Sequence, residues 1–184
     1  MNLPLGLPID AESGPAAAPA RDFDAIYVEF FPFVWRCLRG LGIADAGLDD
    51  AAQDVFVVVH RRFAEFRGHS SVRTWLYGIV RNVASNHRRS VSRKGHPLPL
   101  DVDPPSLAPG PAEAAEQAEA AAFVERFLGA IDVKKREVFM LAMLEEMTIP
   151  EVAAALDVPV NTAYSRLRLA RLDFQRALAA EGRR

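Results

Sequence analysis

The chain has 184 residues, a formal net charge of −2, one cysteine and an apolar fraction of 50%. That apolar fraction is enough to bury a core and argues against wholesale disorder, while a single cysteine excludes a disulfide framework. Helix formers dominate and β-branched alternation is scarce, so the sequence predicts an all-α fold of one or two small domains.

The charges are segregated along the chain, so the near-neutral total hides strongly charged blocks. Residues 60–96 hold nine Arg and Lys residues against one acidic residue, and residues 161–184 hold six against two. Residues 1–59 hold three basic against nine acidic residues, and residues 97–132 hold one against seven. Two basic blocks separated by an acidic stretch predict two contacts with a polyanion.

Two proline-rich segments predict the domain organisation. Residues 1–20 hold four prolines and are expected to be a disordered leader, and residues 95–111 hold six more and are expected to be a Pro-rich linker. Helical domains are therefore expected at 21–94 and 112–184. No apolar run reaches the length of a membrane span and no signal peptide is evident, which predicts a cytoplasmic protein without membrane insertion.

The first domain begins with an amphipathic pattern. Apolar residues recur at helical spacing from Phe23 to Leu41 and predict one helix, in which Cys37 lies on the apolar stripe and is expected in the core. Pro32 is expected to kink this helix, and Gly40 and Gly42 are expected to end it.

Two further helices are predicted in this domain. The stripe from Ala52 to Phe66 contains VFVVV, which is also compatible with a buried strand, but the helical spacing persists over four turns and favours a helix. The third stripe runs from Val72 to Val83, with Ser70 or Ser71 as its cap.

The outer faces of the third helix carry much of the larger basic block. Its polar, cationic and aromatic residues are Arg73, Tyr77, Arg81, Asn82, Ser85, Asn86, Arg88 and Arg89. Arginine neutralises phosphates, asparagine hydrogen-bonds base edges, and aromatic rings stack on unpaired bases. Trp75 is better explained as a core residue, and His69 as a surface histidine in the preceding loop.

The second domain opens with two predicted helices, one over residues 121–131 and one from Lys134 to Glu146. A third begins at Thr148, which forms a capping box with Glu151 three positions later. Pro150 suits the first turn of this helix, where a missing backbone N–H costs little.

A helix-turn-helix pattern completes the domain. The apolar pattern stops at residues 157–159, where Asp157 tolerates a left-handed backbone and Pro159 suits the opening of a new helix. One apolar face then runs from Val160 to Leu178. The opposite face carries Asn161, Thr162, Tyr164, Ser165, Arg166, Arg168 and Arg171. Such groups read base edges and phosphates, which predicts a DNA-binding unit.

Three motifs in this order resemble the extracytoplasmic-function (ECF) group of bacterial sigma factors, which direct core RNA polymerase to promoters. DDAAQDVFVVVHRR (49–62) resembles the helix that binds the polymerase clamp. SSVRTWLYGIVRNVASNHRR (70–89) resembles the segment that recognises and opens the −10 element. Residues 134–171 resemble the domain that reads the −35 element. The resemblance covers nearly everything from Phe23 to Leu178.

The resemblance implies roles for particular residues. Asp50, Gln53 and Asp54 would bind core polymerase, and the loop from Arg67 to Ser71 would capture a base flipped from the −10 element. The full −10 set is Arg67, His69, Ser70, Ser71, Arg73, Asn82, Asn86, Arg88 and Arg89. In the −35 element, Asn161, Tyr164, Ser165 and Arg168 would contact bases, and Arg166 and Arg171 would contact phosphates, with Thr162 on the same face.

Core RNA polymerase, promoter DNA and an anti-sigma factor are the implied partners, and no catalytic residue or cofactor is implied. The histidines and the cysteine show no metal-ligand spacing. The chain departs from the family at Asp157 and Asn161, where Gly is frequent, at Asn86, where Asp is frequent, and at Ala163-Tyr164. These departures affect the promoter sequence that is expected rather than the fold.

Other functions remain open at this stage. A stand-alone helix-turn-helix regulator would bind duplex DNA directly, but it leaves the basic third helix and the QDVF segment unexplained. A protein-only helical adaptor conflicts with the basic block at residues 60–96. An enzyme is least expected, because the sequence has no Gly-rich phosphate loop, nucleophile elbow or carboxylate–histidine constellation.

Overall fold

The computed structural model describes residues 23–94 and 111–182, and every regular element in those ranges is helical. The first domain consists of α1 (Phe23–Gly40), α2 (Asp45–Arg62), a 3-10 turn (Phe63–Glu65) and α3 (Val72–Lys94). The second consists of α4 (Pro111–Ala130), α5 (Val133–Phe139), a π-helical turn (Met140–Leu144), α6 (Ile149–Leu156) and α7 (Val160–Glu181). The all-α prediction is confirmed.

The predicted leader, residues 1–20, and residues 95–110 of the predicted linker lie outside the described residues. Pro111, which the sequence analysis assigns to the linker, is instead the first residue of α4. Proline is suited to that position because the first residue of a helix has no intrahelical use for its N–H. Within residues 23–94 and 111–182, no helix combines the length and apolarity needed to cross a membrane.

The three long helices of the first domain pack on one another around aliphatic side chains. In the VFVVV segment Val55, Phe56 and Val59 are buried while Val57 is 42% exposed, which is the 3–4 spacing of a helix. The helical interpretation is confirmed and the strand alternative is wrong. α1 continues through Pro32, ends at Gly40, and is followed by Gly42 with a φ of 83°.

The second domain contains an aromatic cluster of its own and a helix that differs from expectation. Phe127, Phe139 and Phe174 lie with ring centroids 5.1–5.3 Å apart. The single helix predicted from Lys134 to Glu146 is instead α5 followed by the π turn. The wider π turn shifts the helical phase, so Leu144 is 40% exposed whereas Glu145 is buried.

The two domains pack against each other, which the sequence does not predict. α6 lies against α3, and one hydrophobic cluster runs through both domains. The second domain contributes Val138, Met140, Leu141, Met147, Val152, Ala155, Leu156 and Leu167. Tyr77, expected on an outer face of α3, is fully buried at this contact because the second domain covers it.

Candidate nucleic-acid interface

Local contacts build the helix-turn-helix as the sequence predicts. The Glu151 carboxylate accepts hydrogen bonds from the Thr148 N–H at 2.9 Å and from its hydroxyl at 2.8 Å. These bonds lower the pKa of Glu151 and fix the start of α6. Asp157 ends α6 in the left-handed region with φ 55° and ψ 53°, and Pro159 precedes α7. The predicted capping box and turn are both confirmed.

One face of α7 is buried and the opposite face is open. Ala163, Leu167 and Ala170 are buried against the rest of the domain, whereas Leu178, expected on the same face, is 53% exposed near the end of the helix. Of the seven residues predicted to face DNA, the exposed ones are Asn161, Tyr164, Ser165, Arg168 and Arg171, and the half-buried ones are Thr162 and Arg166.

The DNA-facing side of α7 has little internal pairing. The Ser165 hydroxyl donates to the Asn161 carbonyl at 2.9 Å, and the Arg171 guanidinium lies 3.1 Å from the Met143 sulfur. Tyr164, Arg168 and Arg171 line an open cleft of about 430 Å³. Cationic and phenolic groups with unused donors are therefore available to a ligand along this face.

The loop before α3 is exposed and is anchored by one serine. Arg67, His69 and Ser70 are exposed, and Gly68 turns the chain with a φ of 72°. The Ser71 hydroxyl accepts a hydrogen bond from the Thr74 N–H at 3.3 Å, so Ser71 rather than Ser70 caps α3. The loop is thus fixed at one end and open along the rest of its length.

Trp75 packs beside this loop. Its ring lies 6.2 Å from that of Phe63 and 5.2 Å from that of Phe66, and it borders the hydrophobic core. The core interpretation of Trp75 is confirmed.

The polar residues of α3 fall into two groups. Asn82, Asn86, Arg88 and Arg89 are exposed, and Arg89 donates to the Asn86 side-chain oxygen at 2.6 Å. The Arg88 guanidinium also donates a hydrogen bond to the Leu41 carbonyl at 3.1 Å, and this bond fixes the position of the arginine within the first domain.

Arg73 and Arg81 form the second group, because both contact the second domain. Arg73 donates to the Glu145 backbone carbonyl at 2.7 Å, and Arg81 pairs with the Glu137 carboxylate at 3.2 Å. The Tyr77 hydroxyl between them donates to Glu137 at 3.3 Å. Burial, with the Glu137 charge as the second cause, raises the pKa of Tyr77.

Glu137 and Glu145 are the charged residues that sequence analysis missed. They are only 6% and 2% exposed, and the Glu145 carboxylate accepts two hydrogen bonds from the Arg36 guanidinium, each 2.7 Å long. These bonds raise the pKa of Arg36. Glutamate is rarely buried unless it is paired, and the partners of these two residues are distant in sequence, so nothing in the local sequence marks either one.

The residues expected to bind polymerase lie on α2. Asp50, Gln53 and Asp54 are all exposed. Gln53 borders an open cleft of about 640 Å³ between α1 and α2. Aromatic side chains line this cleft, and the ring centroids of Tyr27 and Phe56 are 4.6 Å apart. Asp50, Gln53 and Asp54 form an acidic ridge on α2, and a polar ridge beside apolar rings is a surface suited to a protein partner. Among the described residues, no group of His, Cys, Asp and Glu side chains is arranged to hold a metal ion.

Comparison with known proteins matches both domains. The sigma-70 region 2 family matches residues 26–94, and the sigma-70 region 4 family matches residues 124–174. The ECF RNA polymerase sigma factor SigM of Mycobacterium tuberculosis is 30% identical over 158 residues, which cover 85% of this chain and 76% of the relative. The ECF RNA polymerase sigma-E factor of Escherichia coli K12 is 27% identical over 138 residues, covering 70% and 72%.

Solved structures agree in fold. CnrH, solved in complex with the cytosolic domain of CnrY, superposes with a TM-score of 0.63 at 26% identity, covering 86% of this chain and 88% of that one. The sigma factor RpoE from Bartonella quintana, solved with the anti-sigma factor NepR, has a TM-score of 0.68 at 19% identity, covering 86% and 97%.

Matches to region 2 and region 4 in one chain account for both basic blocks, and a stand-alone helix-turn-helix regulator accounts for only one of them. The protein belongs to the ECF RNA polymerase sigma factors, DNA-binding initiation factors that direct promoter-specific transcription.

Proposed function

We propose that this sigma factor binds its partners through three separate surfaces. The acidic ridge of α2 binds core RNA polymerase, the 67–71 loop and α3 bind and open the −10 element, and α7 enters the −35 groove. The observation that carries the proposal is the location of base-reading amides and arginines on exposed faces of two helices in different domains.

Core binding depends on Asp50, Gln53 and Asp54. All three side chains are exposed on one side of α2, and the aromatic cleft next to Gln53 supplies apolar area. Charged residues at the rim of such a surface steer association, while the buried aromatic groups supply most of the affinity. The partner surface on the polymerase is therefore expected to be basic with an apolar centre.

The −10 function requires a base to leave the stack. Extrusion costs a few kcal/mol, so the flipped base must be held by hydrogen bonds and stacking. The exposed Arg67, His69 and Ser70 of the loop supply donors and a ring, and Asn82 and Asn86 on α3 supply amides for neighbouring bases. Arg88 and Arg89 provide phosphate contacts beside them.

The −35 function belongs to the exposed face of α7. Asn161, Tyr164, Ser165 and Arg168 stand near the N-terminal half of this helix, which is the part that meets base edges when a recognition helix enters the major groove. Arg171 and the half-buried Arg166 are suited to the flanking phosphates. Sequence is read at the bases, and the phosphate contacts fix the register.

The proposal includes no catalytic step by this chain, because nucleotide addition belongs to the core enzyme. The protein is expected to act in the cytoplasm, where polymerase and chromosome meet. An anti-sigma factor is a further proposed partner, since RpoE, whose fold this chain shares, was solved bound to one.

Initiation with purified components tests the proposal. The chain is added to core polymerase with a library of genomic fragments, and the 5′ ends of the transcripts are sequenced. Transcripts that start downstream of one shared pair of sequence elements support the function. Start sites no different from those of core polymerase alone would contradict it.

A further inference from the structure

One methionine of the second domain is open to solvent. Of the chain's four methionines, Met1 lies outside the described residues, and Met140 and Met147 are only 1% and 4% exposed. Met143 belongs to the same π-helical turn as Met140 but is 41% exposed. Oxidation of a methionine side chain depends on access of the oxidant, so Met143 is the methionine in the described ranges that a dissolved oxidant attacks first.

The Met143 sulfur lies against an arginine on the DNA-facing side of α7. It is 3.1 Å from Nη2 and 3.3 Å from Nε of Arg171, which is exposed and, within residues 23–94 and 111–182, pairs with no carboxylate. A thioether sulfur is a weak hydrogen-bond acceptor. The contact therefore places the guanidinium beside the sulfur without satisfying its donors, and a phosphate oxygen can replace the sulfur at little cost.

We propose that Met143 is a site of reversible oxidation by a hydroperoxide, and that its sulfoxide withdraws Arg171 from DNA. The inference rests on the proposed function, in which Arg171 contacts a phosphate of the −35 element. In the reduced protein the arginine is available to DNA, whereas in the oxidised protein its donors are bound by Met143.

The oxidation is a two-electron oxygen transfer. A lone pair of the Met143 sulfur attacks one oxygen of the hydroperoxide, so an S–O bond forms while the O–O bond breaks. With hydrogen peroxide, the proton on the transferred oxygen moves to the departing hydroxide, which leaves as water. Sulfur is oxidised to the sulfoxide and the peroxide is reduced. Methionine sulfoxide reductases reverse the change, with one enzyme for each sulfoxide epimer.

The sulfoxide changes what Arg171 binds. Its oxygen carries partial negative charge and is bonded to the sulfur that the guanidinium already faces at 3.1 Å. Hydrogen bonds from a charged donor are roughly twice as strong as neutral ones, so a phosphate has to displace a strong acceptor instead of a weak one. Loss of one phosphate contact lowers the salt slope of binding by about 0.9, which is about fivefold in affinity at ~0.15 M salt relative to ~1 M.

Oxidation of the full chain before it is combined with core polymerase tests the proposal. The protein is treated with dilute hydrogen peroxide, the peroxide is removed, and sulfoxide at each methionine is quantified by peptide mass spectrometry. The holoenzyme is then assembled with untreated core polymerase, and its affinity for a promoter fragment that the unmodified protein transcribes is measured over a salt series. We expect Met143 to be oxidised well ahead of Met140 and Met147, the affinity to fall about fivefold at ~0.15 M salt, and the two reductases to restore it.

Two variants separate the Met143–Arg171 pair from other effects of peroxide. Met143→Leu keeps an apolar side chain of similar volume, so its affinity should match that of the unmodified protein and should not respond to peroxide, although Met1 and Cys37 are still present. Arg171→Ala should bind DNA more weakly from the outset, and peroxide should weaken it no further, because the residue that the sulfoxide binds has been removed.

Equal affinities with reduced and oxidised Met143 would overturn the proposal, as would oxidation of a buried methionine ahead of Met143. An equal loss of affinity on oxidation of Arg171→Ala would mean that the sulfoxide disturbs the fold rather than the arginine, which also overturns it. Initiation by the unmodified chain reports separately on the proposed function: promoter-directed initiation with no response to peroxide refutes the oxidation site alone, and no initiation refutes both.

Discussion

Arg168 is the residue on which we expect the −35 specificity to depend most directly. Its side chain is exposed and lines the cleft beside α7, and within the described residues it makes no hydrogen bond or ion pair. Replacing it with alanine therefore removes no hydrogen bond or ion pair among the described residues. The free energy of unfolding should change by no more than about 0.5 kcal/mol.

The effect of Arg168→Ala on DNA binding should be much larger than this. An arginine that contacts a base edge contributes about 1–3 kcal/mol of discrimination. That range corresponds to roughly 5- to 150-fold in affinity. The holoenzyme is incubated with a duplex library randomised across the −35 element, and the bound sequences are counted. One position should lose its preference while the others keep theirs.

Arg176→Ala is the matched control, since it removes one arginine from the same helix. The Arg176 side chain is 78% exposed and pairs with Asp173 one turn away at 3.6 Å. It should leave the selected sequences unchanged. If Arg168→Ala instead weakens every sequence equally and lowers the salt slope by about 0.9, Arg168 contacts a phosphate and the base-reading argument is refuted.

Three further predictions concern the capping box, the turn and the polymerase surface. Thr148→Ala should cost about 0.5–2 kcal/mol of unfolding free energy in urea titrations. The Glu151 hydrogen bonds lower its pKa from the ordinary 4.5, so this stabilisation is complete above that pH and the cost should shrink as pH falls through the lowered pKa. Asp157→Gly should raise the melting temperature measured by circular dichroism, because left-handed backbone costs an L-residue roughly 1–2 kcal/mol; a decrease would mean that the Asp157 side chain stabilises the turn. Asp54→Arg should weaken core polymerase binding at least tenfold by fluorescence anisotropy with no change in melting temperature, whereas Glu119→Arg on α4 should not.

Sequence reasoning succeeded where structure is determined by neighbours in the chain. The capping box depends on two residues three positions apart, and the turn at Asp157 depends on one backbone conformation. VFVVV is predicted to be helical because the apolar residues around it keep helical spacing over four turns, and the burial of Val55, Phe56 and Val59 confirms this prediction. In each case the residues that decide the conformation lie within one or two turns of each other.

The failures concern features set by distant residues. Tyr77 lies on α3 among the exposed arginines, and its local sequence does not distinguish it from them. It is buried because the second domain packs over it, where its hydroxyl bonds Glu137, sixty positions away. Glu145 is buried because the π turn shifts the phase after α5 and brings it to Arg36 of α1. A prediction from apolar periodicity treats each helix as regular and its polar side as exposed to solvent. The π turn breaks the first condition, and the packing of the second domain on α3 breaks the second.

The composition of the domain contact limits how much its ion pairs add to stability. Burial of a carboxylate costs hydration free energy that an apolar side chain of similar size would not lose, so a buried ion pair adds little net stability. In the Arg36–Glu145 pair, the carboxylate loses much more hydration than the guanidinium does. The Glu145 side chain is 1% exposed, whereas the Arg36 side chain is 53% exposed. Replacing Arg36 alone would leave the buried Glu145 carboxylate without its partner, so this change should destabilise the domain contact more than replacing both residues with apolar side chains of similar volume.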